Sequence, residues 1–287
     1  MILVTGPTGQ TGHVAVDQLL SQKRPVRALV RNAEKAEALR ARGAEVVVGS
    51  LEDPGMWEGA LKGVKSVYFL APPDPKATDL VGRGAKIVDH FVAALSKSTV
   101  EHVVLLSSVG AQHAAGNGPV KILNNAEQKI GATGKKLTAL RASYFMENAA
   151  GMVGLMKAQG IVPCFFDPAS KIPMVASADI GRVAAELLTD PPATSGIVEL
   201  EGPVALSYED VAAAFSTALG KTITAVPVPG PGIVPTLVQA GFSENVAGLY
   251  AEMSAGIANG VMVFSGGNAR HVRGKITIAE IAKQFAA

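Results

Sequence analysis

Short, wholly apolar runs alternate along this chain with longer segments in which apolar residues return every three or four positions. Ile2-Leu3-Val4-Thr5 leads into a segment with Val14, Val16, Leu19 and Leu20, and Val26-Arg27-Ala28-Leu29-Val30 leads into residues 33–42, rich in Ala, Glu, Lys, Leu and Arg and stopped by Gly43. The first pattern suits strands buried on both faces and the second suits helices with one apolar stripe. Further strands are predicted over residues 45–48, 66–70, 103–106 and 137–141, and helices over 77–95 and 120–130. Asp53-Pro54 reads as an N-cap followed by Pro at the first helical position, opening a short helix through Leu61. Such alternation predicts an α/β fold with a doubly wound parallel sheet covered by helices on both faces.

Beyond residue 150 the alternation loses its regularity. Residues 152–159 and 179–188 look helical, with Asp179 as the cap of the second; 161–166 and 196–201 look strand-like, and Ser207 caps a helix through Leu219. The Pro- and Gly-rich stretch 227–235 reads as a surface connector. The expected organisation is a nucleotide-binding domain over residues 1–150, followed over 151–287 by a smaller substrate-binding region that partly returns to the first sheet.

The first strand ends in Gly6-Pro7-Thr8-Gly9-Gln10-Thr11-Gly12, three glycines spaced three apart before a helix. Strand, glycine-rich turn and helix N-terminus together make a dinucleotide-phosphate site. Gly6 lets the chain reverse, Gly9 lets the backbone approach a pyrophosphate, and Gly12 lets the helix lie against the sheet. The helix start offers free N–H groups and partial positive charge to the phosphates.

The second strand points to the nucleotide. NAD-selective sites carry Asp or Glu at its end, about 20 residues past the glycines, to accept from the ribose 2′-OH. This chain has Arg31, nineteen residues past Gly12, with Lys35 a helical turn on. A guanidinium grips a 2′-phosphate through charge-assisted hydrogen bonds, where a carboxylate repels it. NADP(H) is therefore the expected cofactor; the alternative is that Arg31 is a solvated charge where the next helix begins.

Composition narrows the surroundings. Of 287 residues, 48% are hydrophobic and 17% charged, enough apolar material for a sizeable core. A net charge of +2, without a dense Lys/Arg block, argues against a nucleic-acid or anionic-membrane partner. No apolar run approaches the roughly 18 residues of a membrane span, and with the first strand beginning at residue 2 no signal or transit peptide is expected. One cysteine, Cys164, excludes an internal disulfide and a cysteine-based zinc site, and no His-x-x-x-His pairing relates the five histidines, so no metal is assigned. A soluble cytoplasmic protein is expected, its oligomeric state undetermined.

The phrase Leu140-Arg141-Ala142-Ser143-Tyr144-Phe145-Met146-Glu147-Asn148, with Ala126-Glu127 before it and the glycine loop upstream, resembles the NmrA-like atypical short-chain dehydrogenases. Val30-Arg31-Asn32, Ala178-Asp179-Ile180-Gly181 and the closing Arg273-Gly274-Lys275 extend the resemblance over most of the chain. It implies a Rossmann NADP(H) domain with a small C-terminal cap. Gly6, Thr8, Gly9, Gln10 and Thr11 would line the phosphates, and Arg31 would take the 2′-phosphate. Leu51 would sit near the adenine, beside Ser50 where relatives more often have Asp. Ala71, Pro72 and Pro73 would pass the nicotinamide ribose, Ser107 and Ser108 would end near the ring, and Tyr144, Phe145 and Asn148 would lie beside the nicotinamide.

One expected feature is absent. Short-chain dehydrogenases that reduce simple carbonyls use a Tyr-x-x-x-Lys pair on the helix after the fifth strand, the tyrosine giving the proton. Here Lys121 stands where the tyrosine would be and Asn125 where several relatives keep a lysine; Tyr144 is the tyrosine of that region. Asn124 and Asn125 can hydrogen-bond but cannot act as acids. Lys121 becomes one only if burial depresses its pKa, and is otherwise an exposed helix lysine. Ser107-Ser108 lacks a Gly-x-Ser-x-Gly elbow and reads as a hydrogen-bonding pair. Phe145, Met146, Met152, Met156, Phe165 and Phe166 wall a substrate pocket or fill the core, and residues 113–119 form a lid or an ordinary loop.

A quinone, a cationic dye or an activated alkene accepts hydride with its charge spread or quenched, so geometry and desolvation carry more of the work than a fixed acid. The expected activity is NADPH-dependent hydride transfer to a flat, conjugated, apolar acceptor, a quinone first, with Tyr144, Ser107, Asn125 and Lys121 as the candidate catalytic residues. A non-catalytic NADP(H) redox sensor acting through protein partners is the alternative. A sugar-nucleotide epimerase comes third, since it needs the missing acid–base pair.

Overall fold

The computed structural model describes residues 1–286. The first half runs β1 (Ile2–Thr5), α1 (Gly12–Ser21), β2 (Val26–Val30), α2 (Glu34–Ala41), β3 (Glu45–Val48), α3 (Met56–Leu61), β4 (Ser66–Phe69), α4 (Leu80–Leu95), β5 (His102–Ser108), a single 3-10 turn at Gly118–Val120, α5 (Lys121–Gly131) and β6 (Lys136–Ala142). After it come β7 (Tyr144–Phe145), α6 (Glu147–Ala150), α7 (Val153–Gln159), β8 (Ile161–Cys164), β9 (Ile172–Val175), α8 (Ser177–Thr189), β10 (Gly196–Glu201), β11 (Ala205–Leu206) and α9 (Tyr208–Leu219). The chain closes with β12 (Thr224–Pro227), α10 (Gly230–Gln239), α11 (Glu244–Ala258), β13 (Arg270–Arg273) and α12 (Ile278–Ala286).

Eight strands form one sheet in the order β13-β10-β6-β5-β4-β1-β2-β3, and every pairing in it is parallel. The order reverses at β1, the switch point beyond whose strand ends nucleotides bind in folds of this kind. Alternate strand residues serve two cores. Val4, Ala28, Val104 and Leu140 pack under α1, α2 and α8, whereas Leu3, Leu29, Val103 and Leu105 pack under α3, α4 and α5. In the second core Phe69 stacks on Phe91 with centroids 4.1 Å apart, and Trp57 leans against both. The doubly wound α/β fold expected from the alternation is the fold of the chain.

A third core gathers residues of α6, α7, α9 and α12 with two small sheets, β11-β9-β7 and β12-β8. Strands β10 and β13 belong instead to the large sheet, and α8 packs across α1 so closely that a Cβ on Gly181 would stand 2.4 Å from the Thr11 carbonyl oxygen.

Four local expectations are corrected. Asp53 does not cap α3; its carboxylate accepts from the Gly55 amide two residues ahead at 2.9 Å, and the helix starts at Met56. Asp179 does not cap α8 either. It lies inside the first turn, 2% exposed, pairs with Arg182 at 3.2 Å and accepts from the distant amides of Lys275 and Ile276 at 2.8 and 2.9 Å. The stretch 227–235 is no plain connector, because α10 begins at Gly230 with Pro231 in its first turn, where a missing N–H costs nothing. Finally, α4 begins at Leu80 rather than near 77, because the Asp79 side chain caps it through the Gly82 amide at 2.8 Å.

Residues 113–119 are fastened rather than free. Asn117 is fully buried and donates to the carbonyls of Gly110 and His113, and Glu252 accepts from the Gly116 amide at 2.9 Å. No helix is long and apolar enough to cross a membrane among the described residues.

Candidate functional site

A cleft of about 610 Å³ opens along the C-terminal ends of the central strands. One end is the glycine loop. Gly6 has φ +60°, the left-handed region, and its carbonyl accepts from the Gly9 amide at 3.0 Å. A Cβ on Gly12 would stand 2.1 Å from the Gly6 oxygen, so Gly12 is required by the loop folding onto the helix start and not, as expected, by contact with the sheet. Helix α1 has no side-chain cap and no acidic residue in its first turn, so its positive end faces the cleft uncompensated. Thr8, Gln10 and Thr11 line the same end, although the Thr11 hydroxyl also accepts from the buried Tyr68 hydroxyl at 2.9 Å.

Arg31 lines the cleft at the end of β2 and makes no ion pair among the described residues. Lys35 is exposed on α2 and lies outside the lining. Leu51 is buried in the wall, with its carbonyl held by the Trp57 indole at 3.2 Å. Next to it the Arg83 guanidinium binds Glu52 at 2.7 Å and the Pro72 carbonyl at 3.0 Å, tying the loop after β3 to the loop after β4. Sequence reasoning missed this brace, since its members stand far apart along the chain.

Ala71, Pro72, Ser107, Tyr144, Phe145 and Asn148 all line the middle of the cleft, as expected. The Ser107 hydroxyl, however, donates to Glu127 at 2.5 Å. Glu127 also receives a two-pronged contact from Arg141, Nε at 2.9 Å and Nη2 at 2.6 Å, and Arg141 reaches the Ser265 hydroxyl, which donates to Glu199. Ser107, Arg141 and Glu199 are register neighbours across β5, β6 and β10. The residues behind Ser107 therefore form a buried charge row that anchors the 262–265 turn, and the hydroxyl proton is already engaged.

Two candidate catalytic residues are not in the cleft. Lys121 pairs with Glu252 through both carboxylate oxygens, at 3.0 and 2.9 Å, and Asn125 lies on α5 outside the lining with its Nδ2 buried and unpartnered. Burial opposes ionisation of Glu252, but Lys121 and the Gly116 and Gly118 amides outweigh it and hold the carboxyl below its usual range. Asn124 is committed as well, donating to the Ala111 carbonyl at 2.8 Å. The helix turns these three side chains away because its cleft-facing positions are Ile122 and Leu123.

Tyr144 stands in the cleft wall with its hydroxyl 3.0 Å from that of Tyr208, and Phe166 meets both rings edge-on. Burial pushes the Tyr144 phenol up, with hydrogen bonds from Tyr208 and Asn148 opposing it, and pushes Tyr208 up further. Beside Tyr144, Ser143 also lines the cleft, and its hydroxyl is buried without a partner. Of the apolar set proposed for the pocket, Phe145 lines it, whereas Met146, Met152, Met156 and Phe166 belong to the third core and Phe165 packs against α10 and α11.

The far wall is α11, which contributes Tyr250, Met253 and Ile257, with Met262 just beyond it. Sequence reasoning missed this helix, although the spacing 250, 253, 257 places the three on one helical face. Its start is fixed by Ser243, which donates to the Ala77 carbonyl at 2.5 Å, and by Asn245, which accepts from the Leu80 amide at 3.0 Å. A Cβ on Gly118 would stand 2.1 Å from the Leu249 carbonyl oxygen, so the turn before α5 is pressed against α11.

Residues 1–261 match the NmrA-like family, and the chain belongs to it. It is 32% identical to an NAD(P)H azoreductase of Xenophilus azovorans, over the whole of this chain and 98% of that one. Two solved structures share the fold. One is the NADPH complex of an Escherichia coli NADPH-dependent quinone oxidoreductase, with TM-score 0.80, 22% identity and 99% of each chain covered. The other is Citrobacter sp. triphenylmethane reductase complexed with NADP(H), with TM-score 0.78, 24% identity, 99% of this chain and 100% of that one covered. The family resemblance read from the sequence is thus the family of the chain. No group of three or more His, Cys, Asp or Glu side chains able to hold a metal occurs among the described residues.

Proposed function

We propose that this chain is an NADPH-dependent reductase that delivers hydride to a flat, conjugated, apolar acceptor, a quinone foremost and an azo compound next. The observation that carries the reading is the continuity of one cleft, from a glycine cradle open to phosphate at one end to the apolar wall of Ile172, Met253, Ile257 and Met262 at the other. The azoreductase relative supports the reaction type, and the unpaired Arg31 supports NADPH over NADH.

The residues present fit the cofactor. Gly6, at φ +60°, and Gly9 line the cleft beside the uncapped start of α1, so the donor set at that end is backbone N–H groups suited to phosphate. The glycine loop and the start of α1 hold the phosphates, Arg31 takes the 2′-phosphate, and Leu51 with the Arg83–Glu52 brace frames the adenine. Tyr144, held by Tyr208, and Asn148 would orient the reacting ring, with Phe145 beside them in the cleft lining. When bound, the reduced nicotinamide supplies the hydride. The apolar lining excludes water and strengthens every charge interaction inside the cleft. On this reading the region after residue 150 is the substrate-binding cap, and the lone, buried Cys164 suits a cytoplasmic enzyme.

The test is consumption of NADPH, followed by its absorbance, with a panel of quinones, azo dyes and enones. Saturable, protein-dependent oxidation that weakens with NADH is expected. Tight NADPH binding without consumption across the panel would favour the redox-sensor alternative.

A further inference from the structure

Among the residues lining the cleft, the ionisable ones are Arg31, Glu52, Arg83, Tyr144 and Tyr250. Arg83 and Glu52 are paired with each other, and Arg31 stands with them toward the ends of β2 and β3. Two phenols therefore serve the other end. The Tyr144 hydroxyl is tied to that of Tyr208, either oxygen able to donate, so Tyr144 can pass on its own proton only while Tyr208 donates to it. Tyr250 is half-buried, and burial alone perturbs its phenol, whose hydroxyl has no hydrogen-bond partner among the described residues. The serine hydroxyls do not compete. Ser107 donates to Glu127, Ser108 donates to the Val109 carbonyl, and Ser143 is an alcohol, a far weaker acid than a phenol.

We propose that Tyr250 is the proton donor to the acceptor in the reduction described above, on which this inference rests, and that α11 thereby supplies the acid missing from α5. The placement is preorganised. The Tyr250 ring is braced edge-on by Phe242 with centroids 5.7 Å apart, and its helix is fixed at the start by Ser243 and Asn245 and midway along by the Lys121–Glu252 pair. Met253 and Ile257 lie on the same helical face, so one surface offers an acceptor an apolar bed and a single hydroxyl. Like any phenol it is protonated at neutral pH, the form a donor needs, and burial raises its pKa, so the proton leaves only toward an acceptor made basic by the hydride.

The balance is simple. A quinone takes hydride from the reduced nicotinamide and a proton from the Tyr250 oxygen, and becomes the hydroquinone. An azo bond takes the hydride at one nitrogen and the proton at the other, leaving a single N–N bond with one hydrogen on each nitrogen. Water returns the proton to the phenolate, so each turnover consumes one NADPH and one solvent proton. A cationic triarylmethane dye, by contrast, is neutralised by hydride alone and needs no acid.

Tyr250→Phe tests this, because it keeps the ring against Phe242 and removes no protein hydrogen bond. Without NADPH, titration of a neutral azo dye followed by its visible absorbance should show affinity weakened about two- to tenfold, the loss of one hydrogen bond. With NADPH, kcat for that dye should fall at least about tenfold, while NADPH affinity is kept and a cationic triarylmethane dye loses far less. Unchanged dye binding and kcat, an equal loss with both dyes, or a larger kcat loss with the neutral dye in Tyr144→Phe overturns the assignment. Wild-type protein that turns over no acceptor overturns the reductase reading and proton donation with it, while the dye titration still reports whether Tyr250 touches the acceptor.

Discussion

Lys121 and Glu252 face each other across the gap between α5 and α11, Nζ to Oε2 at 2.9 Å, and the pair keeps the lysine outside the cleft. The lysine position closest to an acid–base role is thus spent on joining the far wall of the cleft to the central sheet. Lys121→Met should lower stability by about 1–2 kcal/mol, the loss of a charge-assisted contact that leaves Glu252 only its backbone donors. kcat for an acceptor of the cationic type should be retained. Urea denaturation and initial rates on the same preparation check both, and a collapse of kcat at full stability would return Lys121 to the chemistry.

Arg31 is the exposed guanidinium at the end of β2, with no carboxylate claiming it among the described residues. Replacing it by Asp removes the charge-assisted hydrogen bonds to a 2′-phosphate and sets a like charge against it. NADPH affinity should fall about 10- to 1000-fold while NADH affinity holds or rises, to be read by titrating both cofactors against nucleotide fluorescence. Unaltered discrimination would show that the phosphate is held elsewhere.

The first half of the molecule was legible because its signals are local. Strands buried on both faces are unbroken apolar runs, and the turns at Gly6 and at Pro72-Pro73 interrupt them within a residue or two. The boundaries of β2 and β3 fall at residues 26–30 and 45–48, as the sequence predicts. The far wall was not legible, because α11 packs against both α10 and the turn before α5 and so carries no single apolar stripe. Side-chain roles failed for a related reason. Asp179, Ser107 and Lys121 each have an ordinary local reading, but Ile276, Glu127 and Glu252, which they meet in the fold, lie 97, 20 and 131 residues away and no spacing announces them. Tyr250, Met253 and Ile257 did carry a readable helical spacing, with no strand signal beside it to say which way that face turns.

Gly12 makes a sharper claim about the cradle. A Cβ there would stand 2.1 Å from the Gly6 oxygen and 2.8 Å from the Gly6 carbonyl carbon, both backbone atoms that cannot rotate aside. Gly12→Ala should therefore push α1 off the loop, costing about 1–3 kcal/mol of stability and weakening NADPH binding at least about tenfold. Gly43→Leu, at a position where a Cβ meets nothing within 4 Å but φ is +92°, is the comparator. It should lose stability through backbone strain and keep its NADPH affinity, because Gly43 lies outside the cleft. If Gly12→Ala loses stability and keeps NADPH affinity as well, the loop is not the phosphate site.

His102 sets a pH dependence that has nothing to do with the cleft. It is 1% exposed between β4 and β6; its Nε2 lies 2.8 Å from the Thr138 hydroxyl and its Nδ1 is buried with no partner. Burial first, and the Lys136 charge second, push its pKa down to about 4 from an ordinary value of 6.5. The unfolded chain therefore takes up a proton on this ring at a pH where the folded protein refuses it. The neutral ring contributes its full stability above pH 6.5, and that contribution is lost as pH falls from 6.5 toward about 4. The slope is at most about 1.4 kcal/mol per pH unit. His102→Gln keeps a polar group for Thr138 and removes the titration. Urea unfolding of both proteins between pH 7.5 and 5 cancels the carboxylates they share, so the stability advantage of the wild type should shrink steadily as the pH is lowered. A difference that stays constant over that range would mean that the imidazole is protonated as readily in the fold as outside it.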